Sequence, residues 1–127
     1  MGALHTVVLY GTLVFIGLSL VIPGLAEMLG AKTGNNTLLA ANSPAAKSHL
    51  RCLDAMMAGL GFVAIWACWD LQNSRRLVIA LGLVFALVAI ARVYSFIVDG
   101  APDRKTTLYF GVELALAAIL LAWPPRQ

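Results

Sequence analysis

The chain is predicted to be an all-α integral membrane protein, an antiparallel bundle of four transmembrane helices, and three observations lead there. Of its 127 residues, 61% are hydrophobic and only 12% are charged, which is far too apolar for an ordinary soluble domain. Crossing the hydrocarbon takes about 20 mostly apolar residues, and four such runs are present. Polar, glycine-bearing or proline-bearing breaks separate them. The reading is a single four-helix domain over 1–127, with helices at about 4–29, 44–70, 77–98 and 106–123.

The first run, Leu4 to Leu29, follows no basic segment and continues too long for a secretory signal, so it reads as a retained span. Pro23 and Gly24 should bend it or weaken its last turns, since proline removes a backbone donor. The opening Met1 to Thr6 formally fits an acylation pattern, and Asn35-Asn36-Thr37 fits a glycosylation sequon. Both are read as chance, because a chain that spans four times gains little from an acyl anchor. Gly30 to Asn42 is the longest polar connection and reads as a surface loop.

Ser43-Pro44 predicts the start of the second helix, with Ser43 as N-cap and Pro44 in the first helical position. This helix should run to about Asp70, followed by a tight polar turn through Arg76. The third ends near Val98 at Asp99-Gly100-Ala101-Pro102, glycine past the helix end and proline soon after. The fourth is stopped by Pro124-Pro125. Small residues at helical spacing, Ala55 with Gly59 and Gly82 with Ala86 and Ala89, predict close helix packing. Trp66, Trp69 and Trp123 should share one membrane face. Basic residues on the two faces nearly balance, with a lean toward a cytoplasmic N-terminus.

Net charge is +3 but scattered over loops and a tail, which leaves no footprint for nucleic acid. Cys52 and Cys68 lie about 24 Å apart on one helix and cannot bridge each other within the chain. His49 and Cys52 share a helix face, yet two ligands do not make a metal site, and neither metal nor cofactor is assigned. Nucleophile, base and orienter do not come together in any visible motif, and a glycine-rich phosphate loop is lacking. The reading therefore leans away from an enzyme.

The informative residues are the charges that cannot stay outside. Only Ala55 to Trp69, about 15 residues, separate Asp54 from Asp70, and about ten apolar residues follow Glu113, both short of a span. Arg92 lies about two turns inside the end marked by Asp99. Antiparallel threading puts Glu27, Arg51, Asp54, Arg92 and Glu113 in the same half of the bilayer, with Arg92 and Glu113 at matching depth. Arg92, Ser95 and Asp99 form one helical stripe, and Lys47, Arg51 and Asp54 another; both should face inward. A charge at a helix centre costs about 2.5 to 3.5 kcal/mol on insertion scales, so these groups need partners, water or the interface. A structural pin between Arg92 and Glu113 and a ligand site are both open readings. Glu27, at the end of its helix, is the weakest member of the set and is placed to reach headgroups.

Taken together, Gly17 to Pro23, Leu50-Arg51 with Gly59 and Gly61, Ala91 to Pro102, and Val112-Glu113-Leu114 resemble the bacterial family known as domain of unknown function 4345. The chain departs from that pattern at His49, Leu50, Ala55 and Ala91. The resemblance implies a multi-pass protein of the bacterial inner membrane in which Arg51, Arg92 and Glu113 belong to the family pattern. It brings no activity with it.

The leading expectation is a protein that binds a membrane lipid or small amphiphile in a pocket of Arg51, Asp54, Arg92 and Glu113. Tyr94, Tyr109 and Phe110 would line its apolar approach. It would act as a homo-oligomer or as an accessory to a membrane enzyme. The rival is a small oligomeric proton-coupled transporter using Glu113 or Asp54. A lipid-modifying enzyme would need a catalytic pair beyond Asp54 and His49.

Overall fold

The computed structural model describes residues 2–31 and 43–126. Its elements in order are α1 (Ala3–Met28), α2 (Pro44–Trp69), a short 3-10 turn (Leu71–Asn73), α3 (Arg75–Val98) and α4 (Arg104–Ala122). The described residues contain helices and no strand. All four helices are long and apolar enough to cross a membrane, and a third or less of each apolar stretch is buried within the protein. Surface so apolar and so open needs a hydrocarbon solvent, which makes this an integral membrane protein. The sequon at Asn35 and most of the polar loop after Gly30, Lys32 included, lie outside the described residues.

Local chemistry sets the helix ends. α1 runs unbroken through Pro23 and stops at a Schellman cap, with Gly30 at φ +95°. The Gly30 N–H donates to the Glu27 carbonyl and the Ala31 N–H to that of Ala26, at 2.9 Å each. Ser43 caps α2 by accepting from the Ala46 N–H at 3.1 Å. α3 begins at Arg75, two residues ahead of the predicted start. The polar turn before it is tied by its own side chains: Asn73 Nδ2 donates to Asp70 at 2.7 Å, and the Ser74 hydroxyl to the Asp70 carbonyl at 2.7 Å. α3 ends at Asp99, with Gly100 at φ +115°.

α4 also begins two residues early, because Asp103 is its N-cap and accepts from the Thr106 N–H at 2.7 Å. Hydrogen bonds from the Thr106 side chain and backbone hold this carboxylate below its ordinary value. The cap is therefore fully formed above the ordinary carboxylate range and is lost as pH falls through the lowered value.

The chain divides into two compact units, Leu13–Trp69 and Met1–Thr12 with Asp70–Gln127. In the first, α1 and α2 form an antiparallel hairpin whose backbones nearly touch. A Cβ on Gly61 would come 2.8 Å from the Gly17 carbonyl oxygen, and one on Gly24 2.8 Å from that of Asp54. Both glycines are needed for that approach. The predicted pair Ala55 and Gly59 does not serve this contact: both are exposed, and a Cβ on Gly59 meets nothing. The stripe that packs is Ala58, Gly61 and Ala64, displaced around the helix from the predicted one.

In the second unit α3 and α4 are antiparallel. Gly82 admits Leu120 and Leu121, and farther along Phe96 meets Phe110 edge to face at 5.5 Å between ring centroids. The start of α1 and the end of α4 are clasped as well. His5 is buried, stacks on Trp123 at 4.5 Å and hydrogen-bonds the Trp123 carbonyl through Nε2 at 2.8 Å. Arg75 donates to the Pro125 carbonyl at 2.7 Å. The sequence reading placed Trp123 at a membrane interface and did not foresee this clasp.

The hairpin geometry predicts that Gly61→Leu forces α1 and α2 apart, costing about 1 to 3 kcal/mol, whereas Gly59→Leu is tolerated. Thermal unfolding in detergent checks this: Gly61→Leu melts several degrees below wild type, and Gly59→Leu melts beside it.

Candidate functional site

Among the described residues, a two-pronged charged contact lies on the α3–α4 hairpin. Antiparallel packing through Gly82 sets a register in which Arg92 of α3 faces Glu113 of α4. Arg92 Nε donates to Glu113 Oε2 at 2.6 Å and Nη2 to Oε1 at 2.9 Å. This is the two-pronged arrangement for which a planar guanidinium is suited and an ammonium is not. The side chains are 31% and 17% exposed, so the pair is only partly reachable by solvent. Tyr109, one turn before Glu113, lies 5.8 Å from the guanidinium and 5.7 Å from the Lys105 ammonium. Because α4 starts at Arg104, Glu113 sits about 13 Å along it.

The rest of the predicted α3 stripe does not join this pair. The Ser95 hydroxyl donates to Asp99 Oδ2 at 2.8 Å, one turn along the same helix, and Asp99 is exposed. The pair closes the end of α3 because residues four apart are neighbours on a helix.

Tyr94 and Phe110 do line an apolar cleft of about 620 Å³ on this hairpin, together with Ala89, Ile90, Val93 and Leu114 among others. Arg92, Glu113 and Tyr109 do not line it. The predicted pocket therefore separates into a greasy cleft and an ion pair beside it on the same hairpin. Ala86, Ala117 and Ala118 also bound the cleft, so it exists where side chains are too short to fill the space between two helices. The alternation of small and large residues in α3 and α4 was the sequence signal for it.

In the α1–α2 unit, only one member of the Lys47, Arg51, Asp54 stripe turns inward. Asp54 is 5% exposed, whereas Lys47 and Arg51 are exposed. Arg51 does not pair with Asp54. It donates through Nη1 to the Met28 carbonyl at the C-terminus of α1, an acceptor left open by the end of the helix and favoured by its negative dipole end. Lys47, Ser48 and Arg51 line a smaller depression of about 490 Å³. Glu27 is buried at 6% exposure rather than reaching outward, and its carboxyl lies within hydrogen-bonding reach of that of Asp54. Asp54 Oδ2 is buried with no hydrogen-bond partner. His49 and Cys52 are exposed, and no group of three metal-ligating side chains occurs among the described residues.

The five charges thus form two sets: Arg92 with Glu113 on α3–α4, and Glu27 with Asp54, flanked by Arg51, on α1–α2. Removing one member of a desolvated pair leaves its partner uncompensated, while removing both does not. Arg92→Leu should cost roughly 2 to 4 kcal/mol, somewhat below or within the fully buried range because the pair is partly exposed. Arg92→Leu with Glu113→Leu should recover most of that loss. A double-mutant cycle of melting temperatures in detergent reads the coupling directly, and additive losses would show that the pair contributes nothing.

No curated protein and no solved structure matches the chain. The family described as Domain of unknown function (DUF4345) matches residues 3–124, from the first turn of α1 to just beyond the end of α4, and the chain belongs to that family.

Proposed function

We propose that this protein binds a membrane lipid or similar amphiphile on its α3–α4 hairpin and acts as an accessory to another protein of a bacterial inner membrane. The observation that carries the reading is the 620 Å³ cleft, whose walls are nearly all hydrocarbon. Apolar pockets of this size suit an acyl chain, which supplies dispersion contacts that short alanine side chains leave unmade. Tyr94 and Ile97 lie toward the α3 end that leads into the α3–α4 connection, as does Phe110 on α4. Arg104 and Lys105 open α4 within about two helical turns of Phe110, so an anionic headgroup would meet positive charge there.

In this reading the residues of the α3–α4 hairpin and Arg51 have separate tasks. Tyr94 and Phe110 flank the chain-binding cleft, and Arg92 with Glu113 fixes the register of its two walls. Arg51, with Lys47 beside it, offers cations to a headgroup at the depression on α2. Glu113 is held by Arg92 in two hydrogen bonds, which favours an anchoring task over free proton exchange.

Native mass spectrometry of the detergent-solubilised protein tests the proposal. Wild type should retain lipid, with anionic species enriched. Ala118→Phe, which fills the cleft from an exposed position, should lower retention several-fold. Charge removal at Arg104 and Lys105 should abolish the anionic preference but keep the binding. Equal lipid retention by wild type and Ala118→Phe would refute the cleft as the site.

A further inference from the structure

The α1–α2 unit holds a second arrangement that amphiphile binding does not use. Gly24 lets α1 approach so closely that a Cβ there would stand 2.8 Å from the Asp54 carbonyl oxygen and 3.0 Å from the Ala58 nitrogen. Glu27 lies one turn beyond Gly24 on α1, so this approach delivers its carboxyl to that of Asp54 on α2. Both side chains are more than nine-tenths buried, and their carboxyls lie within hydrogen-bonding reach of each other.

Ionised carboxylates are acceptors only, so two of them cannot make a hydrogen bond. The contact requires a proton on one of the two groups. Asp54 Oδ2, buried and without a donor, indicates which. A full negative charge on Asp54 would leave this oxygen uncompensated, whereas a neutral carboxylic acid leaves only a carbonyl-like oxygen unpaired, a much smaller penalty. Among the described residues, the other charged and titratable groups on the neighbouring turns of α2 are Lys47, His49, Arg51 and Cys52; all four are exposed, and Arg51 is turned onto the Met28 carbonyl.

We propose that Glu27 and Asp54 form a proton-binding site between α1 and α2, in which Asp54 carries the proton and donates it in a hydrogen bond to Glu27. Loss of that proton converts a donor–acceptor contact into two facing carboxylates. One proton is released to solvent, the Asp54 O–H is the one covalent bond broken, and the hydrogen bond it made to Glu27 is lost. Because the two backbones nearly touch at Gly24 and Gly61, the pair cannot relax by drifting apart without opening the hairpin. The site binds protons whether or not the α3–α4 cleft binds lipid.

Infrared spectroscopy of the full-length protein in nanodiscs tests this. Wild type should show the carbonyl stretch of a protonated, water-shielded carboxyl that shifts in heavy water and disappears in alkaline buffer. The band should be absent from Asp54→Asn and present in Glu113→Gln. Asp54→Asn keeps a donor toward Glu27, so it should fold and melt like wild type, but with a melting temperature no longer sensitive to alkaline pH. Glu27→Gln should keep the band at a shifted frequency, because its acceptor changes from carboxylate to amide. A wild type without such a band across the pH range, or an unchanged band in Asp54→Asn, would overturn the proposal.

Discussion

A polar group carried on an apolar helix is tolerated only when another element meets it, and that requirement organises each helix pair in this protein. Arg92 and Glu113 meet in two parallel hydrogen bonds, Glu27 and Asp54 meet through their carboxyls, and Arg51 meets the open carbonyl at the end of α1. Each solution needs the helices to be antiparallel and in one register, because a shift of a single residue would rotate the group by about 100° away from its partner. The polar contacts therefore act as register marks on surfaces that apolar packing alone would leave free to slide.

Glycine makes those marks attainable. Hydrocarbon provides little drive for one apolar helix to bury itself against another, so association rests on close fit and polar contacts. Gly17, Gly24 and Gly61 let α1 and α2 come to backbone contact, and Gly82 admits Leu120 and Leu121 of α4 to α3. Where alanines occur with no partner long enough to reach them, the same hairpin leaves a cleft instead of a contact. Tight contact at Gly82 and open space near Ala118 follow from one variable, the length of the facing side chains.

The two units handle charge differently. On α3–α4 a cation answers an anion, so that contact is neutral and stays formed in either solvent condition that leaves both ionised. On α1–α2 two acids face each other, and their contact exists only with a proton in place. Firm positioning and proton sensitivity thus sit in separate helix pairs of one small chain.

Sequence alone determined the four apolar helices of the described residues, their approximate limits, the pairing of Arg92 with Glu113 and the caps at Ser43 and Gly100. Those features depend on run length, on local backbone chemistry and on depth along a helix, all of which are readable in one dimension. It also marked Glu27 and Asp54 as groups in need of an answer, without showing that each is answered by the other. Rotation about the helix axis was decided only in three dimensions. Ala58 and Gly61 pack while Ala55 and Gly59 do not, Arg51 turns to a backbone carbonyl, and Tyr109 faces cations while Tyr94 and Phe110 face the cleft. When a helix is apolar all round, periodicity does not say which side meets a neighbour, and only the packed partner breaks that degeneracy.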